Sequence, residues 1–166
     1  MVLSAVKLKI KKRGDGDAVV TFVRDNGSAT SGRLGSGGFG AVHDLTHYAV
    51  ETTLGLRQGF YGLLAQGWDI PDFEVKGAAR QLPDEALVAE CVVGQLSNVI
   101  FAGAEPRAEE FNWLVKSAVA GVRPGASAPS ISEDTLRQMK QTLNALLTRW
   151  RTLPPGETLE LDFPTG

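Results

Sequence analysis

Val6-Lys7-Leu8-Lys9-Ile10-Lys11 and Thr158-Leu159-Glu160-Leu161-Asp162-Phe163 stand near opposite ends of the chain, and each alternates apolar with polar residues. Successive side chains of a strand point to opposite faces. Val6, Leu8 and Ile10 therefore share one face, with the lysines on the other. Leu159, Leu161 and Phe163 oppose Thr158, Glu160 and Asp162 in the same way. Each segment reads as a half-buried strand, and the two carry opposite charge. Facing opposite charges on neighbouring strands gain roughly 0.2–1 kcal/mol per pair, so this spacing predicts that the last strand lies beside the first.

Working inward, Gly14-Asp15-Gly16-Asp17 reads as a turn, Ala18 to Arg24 as a second strand, Asp25-Asn26-Gly27-Ser28 as another turn, and Thr30 to Leu34 as a short third strand. The rest is helical in pattern. One amphipathic run extends from Val42 through Leu63. A second begins near Pro83, which suits a first helical turn, and carries Leu87, Val88, Cys91, Val92, Leu96 and Val99 to about Gly103. A third, from Pro106 to about Val122, aligns Phe111, Leu114, Val115, Ala118 and Val122. The fourth aligns Leu136, Met139, Leu143, Leu146, Leu147 and Trp150, is opened by a Ser130 or Ser132 cap, and stops at Pro154-Pro155. The expected fold is α+β: one domain over residues 1–166, with a small antiparallel sheet of about four strands, an N-terminal hairpin plus the C-terminal strand, packed against about four helices.

Composition bounds the function. The chain has 166 residues, 17 basic and 19 acidic side chains and a net charge of -2, which gives no concentrated basic surface for nucleic acid. No uninterrupted apolar run reaches the roughly 18–20 residues of a bilayer span, and no secretory leader is recognisable, so the expectation is a cytoplasmic protein without a membrane partner. The single cysteine, Cys91, excludes both an internal disulfide and a multi-cysteine zinc site.

Two segments carry chemistry. Leu34 to Val42, LGSGGFGAV, resembles the glycine-rich phosphate loop of protein kinases. The lysine and the two aspartates that such a loop serves do not follow it. It reads instead as a connector from sheet to helix, or as an anion-binding helix entry. The second segment is His43-Asp44-Leu45-Thr46-His47-Tyr48-Ala49-Val50-Glu51, which holds both histidines of the protein. On a helix, residues i and i+4 lie on one face with Cβ atoms about 6 Å apart, close enough for two imidazoles to chelate one divalent ion. Glu51 extends the face, but eight helical residues rise about 12 Å, so His43 and Glu51 do not reach one ion together. The third ligand has to come from elsewhere, with Glu90, Cys91, Asp69, Asp72 and Glu74 as available donors.

HDLTH resembles the zincin signature HExxH, with Asp44 where the general-base glutamate stands; aspartate is one methylene shorter. The His-Asp doublet also resembles HD-type phosphohydrolases, although no histidine precedes His43. More broadly, HDLTHYAVE followed by GLRQGFYGLLAQGWDI, from Val42 to about Asp72, resembles a group of small uncharacterised bacterial proteins without an established activity.

The expectation is therefore a divalent metal, zinc, manganese or iron, held by His43 and His47. Asp44 or Glu51 would be the supporting or general-base carboxylate, in hydrolysis of a small-molecule substrate. Tyr48, Tyr61, Trp68 and Asp69 would line the cleft, or else pack at the edge of the core. Two other readings stay open. In one, the protein is a non-enzymatic interaction module, a homodimer, whose buried histidines are satisfied by Asp44, Glu51, Thr46 or a backbone carbonyl. In the other, the two histidines form a pH-responsive interface.

Overall fold

The structure, a computed structural model, describes residues 5–35 and 39–165. The strands are β1 (Ala5–Lys12), β2 (Ala18–Val23), β3 (Ala29–Leu34) and β4 (Thr158–Pro164), in one antiparallel sheet of order β3-β2-β1-β4. The last strand does pair with the first. Lys7 faces Asp162 and Lys9 faces Glu160, with N···O distances of 2.6 and 3.8 Å. Those pairs are exposed and contribute little by themselves. The same register puts Val6, Leu8 and Ile10 opposite Phe163, Leu161 and Leu159 on the buried face, and a one-residue slip of β4 would turn its three apolar side chains to solvent.

The helices are α1 (Phe39–Leu54), α2 (Phe60–Ala65), α3 (Ala78–Gln81), α4 (Asp84–Ala102), α5 (Ala108–Val122) and α6 (Glu133–Thr152), with a 3-10 turn at Ile70–Glu74. The architecture is α+β. Helix α1 is central: it packs on β2, β3 and β4 and also against α4 and α6, while α5 packs on α4. Tyr48 on α1 donates to the Asp162 carbonyl at 2.6 Å, tying the helix to the closing strand. On α6 the predicted stripe is the buried one, and Ser132 is the cap, accepting from the Thr135 N–H at 3.1 Å. Its far end is held by Lys12 of β1, which donates to the carbonyls of Trp150 and Leu153 and lies 4.7 Å from the Trp150 ring centroid. A cation at unsatisfied C-terminal carbonyls is favourable.

Two readings of the sequence need correction. The run from Val42 to Leu63 is not one helix. It stops at Leu54 because Gly55 takes φ +64°, with the Leu56 N–H bonding back to the Glu51 carbonyl at 2.9 Å and the Gly55 N–H to Thr52 at 3.4 Å. This is a Schellman end, which favours glycine in the left-handed position. Second, α4 is long and apolar enough for a membrane span by length and mean hydropathy (1.4), the one such helix among the described residues. Glu90 and Gln95 interrupt it, so counting unbroken apolar runs passes it over. Here it buries Val88, Ala89, Val92, Val93, Leu96 and Val99 in the core. The centre of the glycine-rich segment, 36–38, lies outside the described residues.

A candidate metal centre between α1 and α4

The His43 and His47 rings meet edge to face with centroids 4.8 Å apart, as the i, i+4 spacing on α1 requires. Across the α1–α4 contact Glu90 joins them. Its Oε1 is 2.9 Å from His47 Nε2 and its Oε2 is 3.9 Å from His43 Nε2. One ligand atom from each of these three residues lies within 4.8 Å of the other two. The His43 and Glu90 side chains are about half exposed, 52% and 51%, whereas His47 is sealed at 3%. The cluster is open to solvent on one side and anchored in the core on the other.

The buried side is a network centred on Glu51. His47 Nδ1–H donates to Glu51 Oε2 at 2.9 Å. The same carboxylate accepts the Phe60 N–H at 3.0 Å and the Tyr61 N–H at 2.9 Å, the first two amides of α2. Glu51 is 1% exposed, and three donors meet its charge where water cannot. The chain break at Gly55 makes this arrangement, because the turn returns α2 with its amides aimed at the side chain of Glu51. Gly59 permits the approach: a Cβ there would lie 2.5 Å from the Glu51 carboxyl carbon.

Asp44 shares the His47 and Glu51 face of α1, one turn before His47. Its carbonyl accepts from the Tyr61 hydroxyl at 2.8 Å, but its Oδ2 is shut off from solvent without a hydrogen-bond partner. Burial pushes this carboxyl up to about 7, with the Glu51 and Glu90 charges adding to the shift and His47 opposing it. Burial opposes charging of His47 too, but hydrogen bonds to Glu51 and Glu90, and their charges, outweigh it and lift the ring to about 10. His43 moves the other way, lowered by burial and by His47 against a smaller pull from Glu90. Burial would raise Glu90, but the His47 hydrogen bond and both imidazoles hold it below the ordinary carboxylate value.

Of the residues singled out in the sequence, His43 and His47 come together and Glu90 is the donor that joins them. Glu51 sits behind His47, not beside His43. The other proposed donors are elsewhere. Asp69 pairs with Arg24 at 2.8 Å, Asp72 accepts from the Asp69 N–H at 2.8 Å, and Glu74 ends the 3-10 turn, outside the histidine cluster. Cys91 is buried, and burial raises its thiol pKa. Tyr48, Tyr61, Trp68 and Asp69 do not form a cleft with the histidines. Tyr61 is fully buried against Phe22, Phe60 and Phe163, and Trp68 packs on Phe73. Besides His43, the ring against His47 is Phe60 of α2, at 5.7 Å between centroids.

No protein-family model, curated protein or solved structure matches the chain. The functional reading rests on the chemistry of these side chains.

Proposed function

We propose that the protein binds one divalent cation, zinc, manganese or iron, through His43, His47 and Glu90, and uses it to activate water for hydrolysis of a small-molecule substrate. The observation that carries this reading is the division of labour on His47. One ring nitrogen is fixed by a buried carboxylate, while the other points into a cluster of two further donors. Histidine ligands are characteristically held this way, because a carboxylate on the second nitrogen sets the tautomer and ring orientation.

The spacing supports it as well. Metal–ligand bonds of about 2.0–2.1 Å imply donors about 3.3 Å apart in a tetrahedral site. The contacts to the two oxygens of Glu90, 2.9 Å from His47 and 3.9 Å from His43, lie on either side of that value, and one ligand atom from each of the three residues lies within 4.8 Å of the others. Three protein ligands leave a position for water or substrate, the pattern of a catalytic site, and a bound zinc brings the pKa of its water to about 7. The half-exposed His43 and Glu90 keep that position accessible.

A second reading has its own observation. The 2.9 Å contacts to Glu51 and Glu90 make His47 a complete imidazolium bridge between two carboxylates, which would tie α1 to α4 without any metal. Elemental analysis of tag-free protein, alone and after loading with zinc or manganese and dialysis, separates the two. The metal reading requires near-stoichiometric metal in the wild type and its loss in both His47→Ala and Glu90→Gln. Absence of metal from the loaded wild type would leave the bridge as the function of these residues.

A further inference from the structure

A cavity of about 370 Å³ opens between the end of α2, the 3-10 turn and α3, and none of its lining residues belongs to the metal cluster. Its volume falls at the lower end of the roughly 300–1,000 Å³ typical of small-ligand sites. Three kinds of surface meet there. Trp68, Val75 and Ala78 provide an apolar wall, Lys76 a positive charge and Asp72 a negative one.

The apolar wall is preformed. Trp68 packs tilted against Phe73 at 5.1 Å between ring centroids, and Phe73 meets Phe60 edge to face at 4.8 Å. Arg24, whose side chain is only 10% exposed, donates to the carbonyls of Trp68 and Leu64 and to Asp69 Oδ1, fixing the backbone beneath the ring. Val75 is 62% exposed at this cavity, a large apolar side chain left in water. The charges are available. Lys76 makes no ion pair or hydrogen bond with the described residues. Asp72 uses one oxygen on the Asp69 N–H and keeps the other unengaged among them. The Trp68 indole N–H is likewise without an acceptor among the described residues.

We propose that this cavity binds a free aromatic α-amino acid. The carboxylate would meet Lys76, the ammonium would meet Asp72, and the ring would pack against Trp68, Val75 and Ala78. A simple aromatic acid would leave Asp72 facing an anion, and an aromatic amine would leave Lys76 facing a cation. A zwitterion on an apolar skeleton satisfies both charges on this wall.

Calorimetric titration of the full-length protein with three compounds on one skeleton tests this: L-phenylalanine, 3-phenylpropanoate without the ammonium, and phenethylamine without the carboxylate. L-phenylalanine should bind at least about tenfold tighter than either analogue, as loss of one charge-assisted contact implies. Lys76→Met should reduce L-phenylalanine to the level of phenethylamine. Asp72→Asn, which keeps an acceptor for the Asp69 N–H, should reduce it to the level of 3-phenylpropanoate. Binding should persist in the presence of a metal chelator, because the cavity shares no residue with the metal cluster. Failure of L-phenylalanine to bind at millimolar concentration, or equal binding of either analogue, overturns the proposal whatever the metal analysis shows.

Discussion

Glu51 Oε2 lies 2.9 Å from His47 Nδ1, one helical turn along α1, and Glu51 also holds the first two amides of α2. One buried carboxylate thus orients a candidate ligand and starts the next helix. Glu51→Gln keeps the shape but replaces an acceptor oxygen by an amide that donates, so one of three N–H groups loses its partner. The expected cost is about 1–3 kcal/mol of stability. If the metal reading holds, zinc affinity should also fall about 10–100-fold. Chemical denaturation and competition with a chromophoric chelator read the two effects separately. Unchanged stability would mean that the carboxylate does not hold these amides in solution.

Gly59 offers the same test without touching the site's chemistry. Its φ of -77° suits any residue, so Gly59→Ala brings no backbone strain. The added methyl would meet the Glu51 carboxyl carbon and Oε1, both at 2.5 Å, and a fully buried side chain has nowhere to retreat. Gly59→Ala should therefore reproduce the loss of stability seen with Glu51→Gln, by about 1–3 kcal/mol for overpacking. A melting temperature equal to wild type would show the packing around Glu51 to be loose.

Lys12 distinguishes a cation that caps a helix from cations that only face carboxylates across a strand pair. It is half-buried against the last turn of α6, donating to two carbonyls, whereas Lys7 and Lys9 pair with β4 in solvent. Lys12→Met should cost about 1–2 kcal/mol, the scale of a partly buried helix-end charge. Lys9→Met should be close to neutral. Denaturant midpoints of the two variants give the comparison, and equal losses would remove the capping role.

The sheet was legible because period-two alternation at both ends carried complementary charge, information that survives without any tertiary knowledge. The α6 stripe was legible from its helical spacing of apolar residues, with its serine cap and proline stop. The histidine pair could be read from its spacing. Glu90 could be named only as one donor among several, because nothing in the surrounding sequence of α4 marks which residue of that helix faces His47; the packing of α1 on α4 decides it. The role of Glu51 was hidden by Gly55. An apolar pattern that continues through a glycine resembles one helix, and only the left-handed turn at Gly55 shows that the amides of Phe60 and Tyr61 come back to the carboxylate.

Asp44 predicts a pH dependence of opposite sign to the usual carboxylate. Its folded pKa, about 7, stands above the unfolded value of 3.8, so the native state binds the extra proton between these limits. The associated stability is present below about pH 4 and is lost as pH rises through 7. Asp44→Asn removes the ionisation that causes the loss. The metal-free variant should match wild type near pH 4 and exceed it above pH 7, by about 1–3 kcal/mol for an unsatisfied buried group. Urea unfolding at several pH values checks this, and a variant less stable than wild type at pH 8 would mean that Asp44 has a partner in its charged form.

The strongest competitor for a metal at this site is the proton that His47 Nε2 shares with Glu90. With its pKa at about 10, well above the unfolded 6.5, metal-free His47 supports the fold fully below pH 6.5 and stops doing so as pH rises toward 10. A cation binding at Nε2 must displace that proton, since only the neutral ring coordinates. Zinc binding at pH 7 should therefore release about one proton, and affinity should rise about tenfold per pH unit between 7 and 10. Calorimetry at pH 7 in buffers of different ionisation enthalpy measures the release directly. The loaded protein should also keep its melting temperature at alkaline pH, where the metal-free protein loses stability, because the metal then bridges α1 and α4 in place of the proton. Zinc binding without proton release would mean that the ion sits away from His47, leaving that residue as the bridge between Glu51 and Glu90.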